Sequence, residues 1–129
     1  MKSTRFSVSS RLVGDIAVIY PSGYLNNLAG KSLIEECGLH TANGIKKLVL
    51  NLRDTGFINS IGISMLLNII EDLKKVDGRL CFTEMSRTHT DTFDMLGLTP
   101  HIVVFTTEDE ALQFLKETPG PEPKDRDEN

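Results

Sequence analysis

The chain of 129 residues is predicted to adopt a single α/β domain with a mixed central β-sheet, its elements in the order ββαβαβαβα. Three observations carry the prediction. Short apolar runs at 46–52, 79–84 and 101–105 alternate with helical patterns, which is the mark of parallel strands joined by right-handed crossovers. Two further runs near the start, 5–12 and 16–23, are separated by little more than a Gly14-Asp15 turn signal, so they pair as an antiparallel hairpin and make the sheet mixed. An apolar content of 40% suffices for one modest core, and the length suits one domain, placed at 1–117.

Each element has a local reason. "RFSVSSRL" (5–12) alternates in polarity and suits an edge strand. "IAVIYPSG" (16–23) is apolar until Pro21 and Gly23 close it. In "LAGKSLIEECG" (28–38), Leu28, Leu33, Ile34 and Cys37 recur at helical spacing. "KKLVLNL" (46–52) is apolar on both faces after its lysines, as a central strand should be. Residues 60–76 form the strongest helical pattern, and Gly78 is placed as its left-handed cap. "RLCFTE" (79–84) is a strand, 87–98 a short helix ending at Gly97, 101–105 a strand and 106–117 a helix. Thr107 with Glu110 three residues on makes a capping box. The tail 118–129, "TPGPEPKDRDEN", carries proline and charge with no apolar residue and is expected to be disordered.

Composition excludes several functions. A net charge of −4 does not suit a nucleic-acid binder, which needs a clustered basic face against phosphates. No apolar run is long enough to span a membrane. The first residues lack the apolar segment of a secretory signal. Cys37 and Cys81 have no metal-type spacing and sit in apolar patterns, so they are expected to be buried free thiols. These features together predict a cytoplasmic protein with no cofactor.

The loop "RDTGFINS" (53–60) follows the central strand, and open α/β sheets carry their sites at the carboxyl ends of strands. The helix after it has a wide apolar arc. At 100° per residue from Ile61, Met65, Ile69, Leu73 and Val76 fall between about 40° and 120° and Leu66 near 140°, a core stripe. Ile70, Ile63 and Leu67 extend the arc to roughly 240°, beside Ser60 and Ser64. This extra strip either packs under a neighbouring element or is exposed as a protein-binding surface. Asn59 or Ser60 suits the N-cap. A helix N-terminus also stabilises a phosphate, and Gly62 leaves room for a second molecule to approach the backbone.

This arrangement of loop, helix and element order resembles the STAS family (sulfate transporter and anti-sigma factor antagonist domains), above all the stand-alone bacterial anti-anti-sigma factors. The family's loop reads roughly D-[ST]-[ST]-G-[LI]-G, and Asn59, Ser60, Ile61, Gly62, Ile63 and Ser64 stand at its positions. "TFDMLGLTPHIVVFTTEDEAL" (92–112) resembles the family's closing motif, and "PSGYLNNLAGKSL" (21–33) its strand ending before the first helix. The resemblance implies a mixed sheet with helices and no catalysis by the domain itself. It implies that Ser60 is phosphorylated by a partner, an anti-sigma factor with a GHKL-type serine kinase fold. The unphosphorylated domain would bind that partner and release sigma, and a serine phosphatase would reset it. The binding face would comprise Asn26, Asn27, Asn59, Ser60, Gly62, Ile63, Ser64 and Leu67. Two positions depart from the family, which usually has aspartate where Asn26 and Asn59 stand. Ile61 leaves Ser60 as the only hydroxyl at the motif's two central positions.

Three other readings compete. A phosphoacceptor receiver domain needs an acidic pair after its first strand, but Asp15 precedes its strand and Asp54 has no such companions. A STAS module without a switch, serving as an accessory or scaffold subunit of a transport or stress-signalling complex, is compatible with the two asparagines and Tyr24. An enzyme is not expected. His40, His89 and His101 are scattered and expected on surfaces or loops, and no nucleophile–base pair is visible.

Overall fold

The computed structural model describes residues 6–117. The tail, for which disorder was expected, lies outside them. The elements are β1 (Ser7–Val13), β2 (Ile16–Leu25), α1 (Asn27–Ala42), β3 (Lys47–Asn51), β4 (Thr55–Ile58), α2 (Ser60–Lys75), β5 (Arg79–Thr83), α3 (Arg87–Met95), a single 3-10 turn (Thr99–His101), β6 (Val103–Phe105) and α4 (Glu108–Glu117). The sheet order is β1-β2-β3-β5-β6. β1 is antiparallel to β2, and the remaining neighbours are parallel. The expected mixed α/β class is therefore observed, with one strand more than the sequence suggested.

That extra strand is β4, inside the segment read as a loop. Its Asp54, Thr55 and Gly56 are turn formers, which masks the strand. β2 is long enough to serve two partners. Ile16–Ile19 pair with β3, while Gly23 and Leu25 pair with Thr55 and Ile58 of β4 across a register shift. The Gly23 amide donates to the Asp54 carbonyl at 3.0 Å, and the Thr55 hydroxyl donates to the Pro21 carbonyl at 2.9 Å. The chain thus leaves β3, steps sideways and runs on along β2 to the start of α2.

Alternation along the strands divides the interior in two. Ala17, Ile19, Leu48, Leu50 and Phe82 face a core capped by α1, α2 and α3. Ile16, Val18, Val49 and Cys81 face a smaller core under α4, with Ala111, Leu112 and Leu115. Cys37 and Cys81 are buried free thiols, as expected. Burial pushes the Cys37 thiol up to about 12 and the Cys81 thiol up to about 11, so neither is a nucleophile at neutral pH.

Three helix ends differ from expectation, the first being α1, which runs past Gly38 to Ala42. After α2 the left-handed residue is Asp77, with φ 59°, rather than Gly78. Gly78 is there for space: a Cβ would stand 2.6 Å from Leu73 Cδ2 and 2.8 Å from the Lys46 carbonyl oxygen. The 87–98 helix stops at Met95. At α4 the expected capping box forms, with the Thr107 amide donating to Glu110 Oε1 and the Glu110 amide to Thr107 Oγ1, each at 3.2 Å.

Glu108 joins β1, β2 and β3 to α4. It accepts from Asn51 Nδ2 on β3 at 2.8 Å, from the Tyr20 hydroxyl on β2 at 3.0 Å, and from the Arg11 guanidinium on β1. Burial pushes this carboxyl up, but the bonds from Asn51, Arg11 and Tyr20 outweigh it, so its pKa lies below the ordinary 4.5. A lowered folded pKa means stability that is present above the unfolded value and lost as pH falls through the folded one. Wild type should therefore be more stable than Glu108→Gln at neutral pH, with the gap closing below pH 4.5. Thermal unfolding across that range tests this, and a gap independent of pH would refute it.

Candidate functional site

Two helices begin side by side at one end of the sheet. β2 ends at Leu25 and β4 ends at Ile58, and the two residues are paired. Each strand is followed by one asparagine and then a helix. Asn26 Oδ1 accepts from the Ala29 amide at 3.0 Å, capping α1. Asn59 Oδ1 accepts from the Gly62 amide at 2.7 Å, capping α2. Both caps have extended backbone, as the position requires.

The two starts are tied through one atom. The Leu25 carbonyl accepts from the Asn59 amide at 3.2 Å. The same oxygen would lie 2.4 Å from a Cβ placed on Gly62. Gly62 is therefore glycine because its own chain packs against it. The expectation that it leaves room for a second molecule is corrected: the room is taken by Leu25.

Ser60 is the first residue of α2 and is exposed. It is not the N-cap, because Asn59 fills that role. The amides of Ser60 and Ile61 have no acceptor within the helix. Ser64, one turn on and exposed, donates its hydroxyl to the Ser60 carbonyl at 3.2 Å. Neither α1 nor α2 has an acidic residue in its first turn. Two positive dipole ends thus meet at this corner without a carboxylate of their own.

The apolar strip expected beside Ser60 resolves into core. Ile63 is 4% exposed and Ile70 6%, and Leu67 is half-buried against the same cluster. The inward direction of α2 runs through Gly62, Ile63, Leu66, Ile69, Ile70 and Leu73. Val76, placed in the core stripe, is exposed instead as the C-cap. Ile63 and Gly62 therefore do not form part of an accessible face. Asn27, Ser60 and Ser64 are exposed, and Asn26 and Asn59 half-exposed.

A different apolar surface takes the strip's place. Tyr24 is 46% exposed and Phe57 55%, and their rings lie 5.8 Å apart. Asn59 Nδ2 donates to the Tyr24 hydroxyl at 3.3 Å, joining the pair to the α2 cap. Leu28 and Ile61, in the first turns of α1 and α2, are also exposed. Strand alternation could have revealed the aromatics. Tyr24-Leu25 and Phe57-Ile58 are adjacent pairs, and in each only one side chain can face the core.

Two histidines depart from their expected surface or loop positions. His89 is 3% exposed on α3. Its Nδ1 accepts from the Ser86 amide at 3.1 Å, and its Nε2 donates to the Gly56 carbonyl at 2.8 Å, pinning α3 to β4. His40 lies one helical turn from Glu36, and both reach Ser10 on β1. The Ser10 hydroxyl donates to Glu36 Oε2 at 2.6 Å, and His40 Nε2 is 2.9 Å from Ser10 Oγ and 3.7 Å from the same carboxylate. A catalytic triad needs the acid on the opposite ring nitrogen, so this cluster clasps β1 to α1 and activates no nucleophile. Among the described residues no group of histidine, cysteine, aspartate and glutamate is arranged to hold a metal ion. No described helix is long and apolar enough to cross a membrane.

The fold and site define a mixed-sheet α/β module whose first two helices present their N-termini together at one end. The STAS domain model matches residues 7–111, and the chain belongs to that family. Among solved structures it is similar to an anti-sigma factor antagonist from Mycobacterium paratuberculosis, at 20% identity and TM-score 0.79, covering 90% of this chain and 98% of that one. It is also similar to phosphorylated SpoIIAA, a Bacillus cell fate determinant, at 23% identity and TM-score 0.67, covering 84% and 99%. The murine Slc26a9 anion transporter contains the same fold, at 12% identity and TM-score 0.73, covering 84% of this chain and 19% of the transporter.

The corner yields two expectations for stability. Asn59→Ala should cost about 1 kcal/mol, whereas Asn59→Asp, an equally good cap, should cost almost nothing. Gly62→Ala should cost about 2 kcal/mol, because overpacking against a backbone oxygen exceeds the gain in helix propensity. Denaturant unfolding of the three variants measures both. A stabilised Gly62→Ala would mean that the Leu25 contact is looser than described.

Proposed function

We propose that this protein is an anti-sigma factor antagonist in the cytoplasm. It binds an anti-sigma factor of GHKL-type kinase fold, frees the sigma factor, and is switched off by phosphorylation at Ser60. A serine phosphatase restores the binding form. The observation that carries the reading is the position of Ser60: an exposed hydroxyl on the first turn of α2, next to the exposed Tyr24, Phe57 and Ile61. The family membership and the likeness to a phosphorylated relative support it.

The physical logic has two sides. A phosphate on Ser60 adds roughly −1.5 to −2 charge at a helix N-terminus, where free amides and the dipole favour it. In the free protein the modification is therefore well tolerated. In a complex the same charge would be enclosed against apolar side chains, and desolvation then opposes binding. The binding face in this reading comprises Asn26, Asn27, Asn59, Ser60 and Ser64 with Tyr24, Leu28, Phe57 and Ile61. Leu67 borders it.

Asparagine at both caps fits such a switch. A carboxylate about 4 Å from the phosphate would cost on the order of 1 kcal/mol per charge pair in water. Neither cap imposes that repulsion here.

Incubation with the cognate anti-sigma kinase and ATP should yield one phosphopeptide, containing Ser60, by mass spectrometry. Modification elsewhere, or none, would refute the assignment. In calorimetric titrations with the same partner, Ser60→Ala should bind as wild type does and Ser60→Asp at least about tenfold more weakly. Phe57→Ala should weaken binding by a similar factor if the aromatic pair anchors the interface. Equal affinity of Ser60→Asp and Ser60→Ala would remove the electrostatic switch.

A further inference from the structure

At the opposite end of α2 from Ser60 there is a cavity of about 180 Å³. It opens where β5 outruns its edge neighbour. β5 begins at Arg79, but β6 pairs only with Cys81, Phe82 and Thr83, so Arg79 and Leu80 extend past the last neighbouring strand. The last turns of α2 supply Ile70, Leu73 and Lys74 to one side of the opening. The 3-10 turn then brings His101 and Ile102 across the opening.

The lining is amphipathic. Ile70, Leu73, Leu80, Phe82 and Ile102 supply an apolar floor. The cationic residues on it are Lys74 and Arg79, beside the imidazole of His101, with no carboxylate among the lining side chains. In a protein of net charge −4 this is a local reversal of sign. Arg79 forms no ion pair among the described residues, and Lys74 has only an exposed contact with Glu71 at 4.0 Å. The space exceeds the roughly 150 Å³ that accommodates a benzene ring, and falls below a drug-sized pocket.

We propose that this cavity binds a short aliphatic carboxylate, its chain on the Ile70–Leu80–Ile102 floor and its headgroup between Arg79, Lys74 and His101. The site is independent of the Ser60 surface and of the partner assigned to it.

Hexanoate is the probe, titrated into the full chain and followed by amide NMR shifts. The expected result is saturable shifts confined to residues 70–82 and 101–103. Hexylamine, with the same chain and opposite charge, should bind at least roughly tenfold more weakly, the value of one charge-assisted contact. Arg79→Gln, at an exposed position, should lower hexanoate affinity towards that of hexanol. Absence of saturation, equal affinity for hexylamine and hexanoate, or shifts centred on the α2 N-terminus would each overturn the proposal. The comparison of the two ligands on wild type decides it even if the variant fails to fold.

Discussion

The Leu25 carbonyl accepts the Asn59 amide and stands where a side chain on residue 62 would have to go. This contact fixes the relative position of two helices. It holds because β4 runs parallel to β2 and delivers the chain to Asn59 beside Leu25. It also requires glycine at 62, so that α2 can start almost against the strand. The same closeness recurs one turn further along, where a Cβ on Gly30 of α1 would meet Met65 Cγ of α2 at 2.4 Å. Two glycines, one on each helix, thus let the pair pack tightly from its first turn. The exposed corner that carries Ser60 is the outer surface of this packing. On its inner side Gly62 meets the Leu25 backbone and Gly30 meets the Met65 side chain.

The electrostatics of the corner follow from its caps. An aspartate at either position would hydrogen-bond equally well and would add a charge that partly neutralises the helix end. With asparagine the hydrogen bond is kept and the positive ends remain. The protein is acidic overall, yet the start of α2 keeps the positive character of two helix ends with no carboxylate in either first turn. At its other end Lys74 and Lys75 offset the negative pole of the dipole and pair with Glu71 and Asp72. The first turn of α4, in contrast, carries Glu108, Asp109 and Glu110. Glu108 is held there by Arg11, Tyr20 and Asn51, whose hydrogen bonds favour its charged form and set the Arg11 cation against it.

Most of the fold was legible because its elements are strongly periodic and its strands short. What escaped did so for identifiable reasons. β4 hid behind turn-forming residues, and strand pairing with β2 overrode their local preference. The inward face of α2 was misplaced because a glycine counts for little in an apolar arc. Gly62 and Ile63 point inward, which rotates the core direction towards Leu66 and Ile70 and leaves Ile61 exposed. His89 was read as a surface residue because α3 is largely polar. Its burial depends on Gly56, which belongs to the strand that was missed. The sequence points to the 53–60 loop and to an apolar strip on the helix, whereas the exposed aromatics Tyr24 and Phe57 lie on the two paired strands that precede the helices.

The division of labour between Asn59 and Ser60 bears directly on how a hydroxyl here can act. Had Ser60 been the N-cap, its oxygen would be engaged by an amide of the first turn. Modifying it would then remove a cap, at a cost of about 1 kcal/mol to the helix. With Asn59 as cap, the Ser60 hydroxyl is spare. Charge added to it leaves Asn59 bonded to Gly62 and the Leu25 contact undisturbed. A modification that changes the surface without loosening the scaffold alters binding through the new charge alone. Under the proposed switch, partner affinity would respond while the packing of α1 against α2 is left alone.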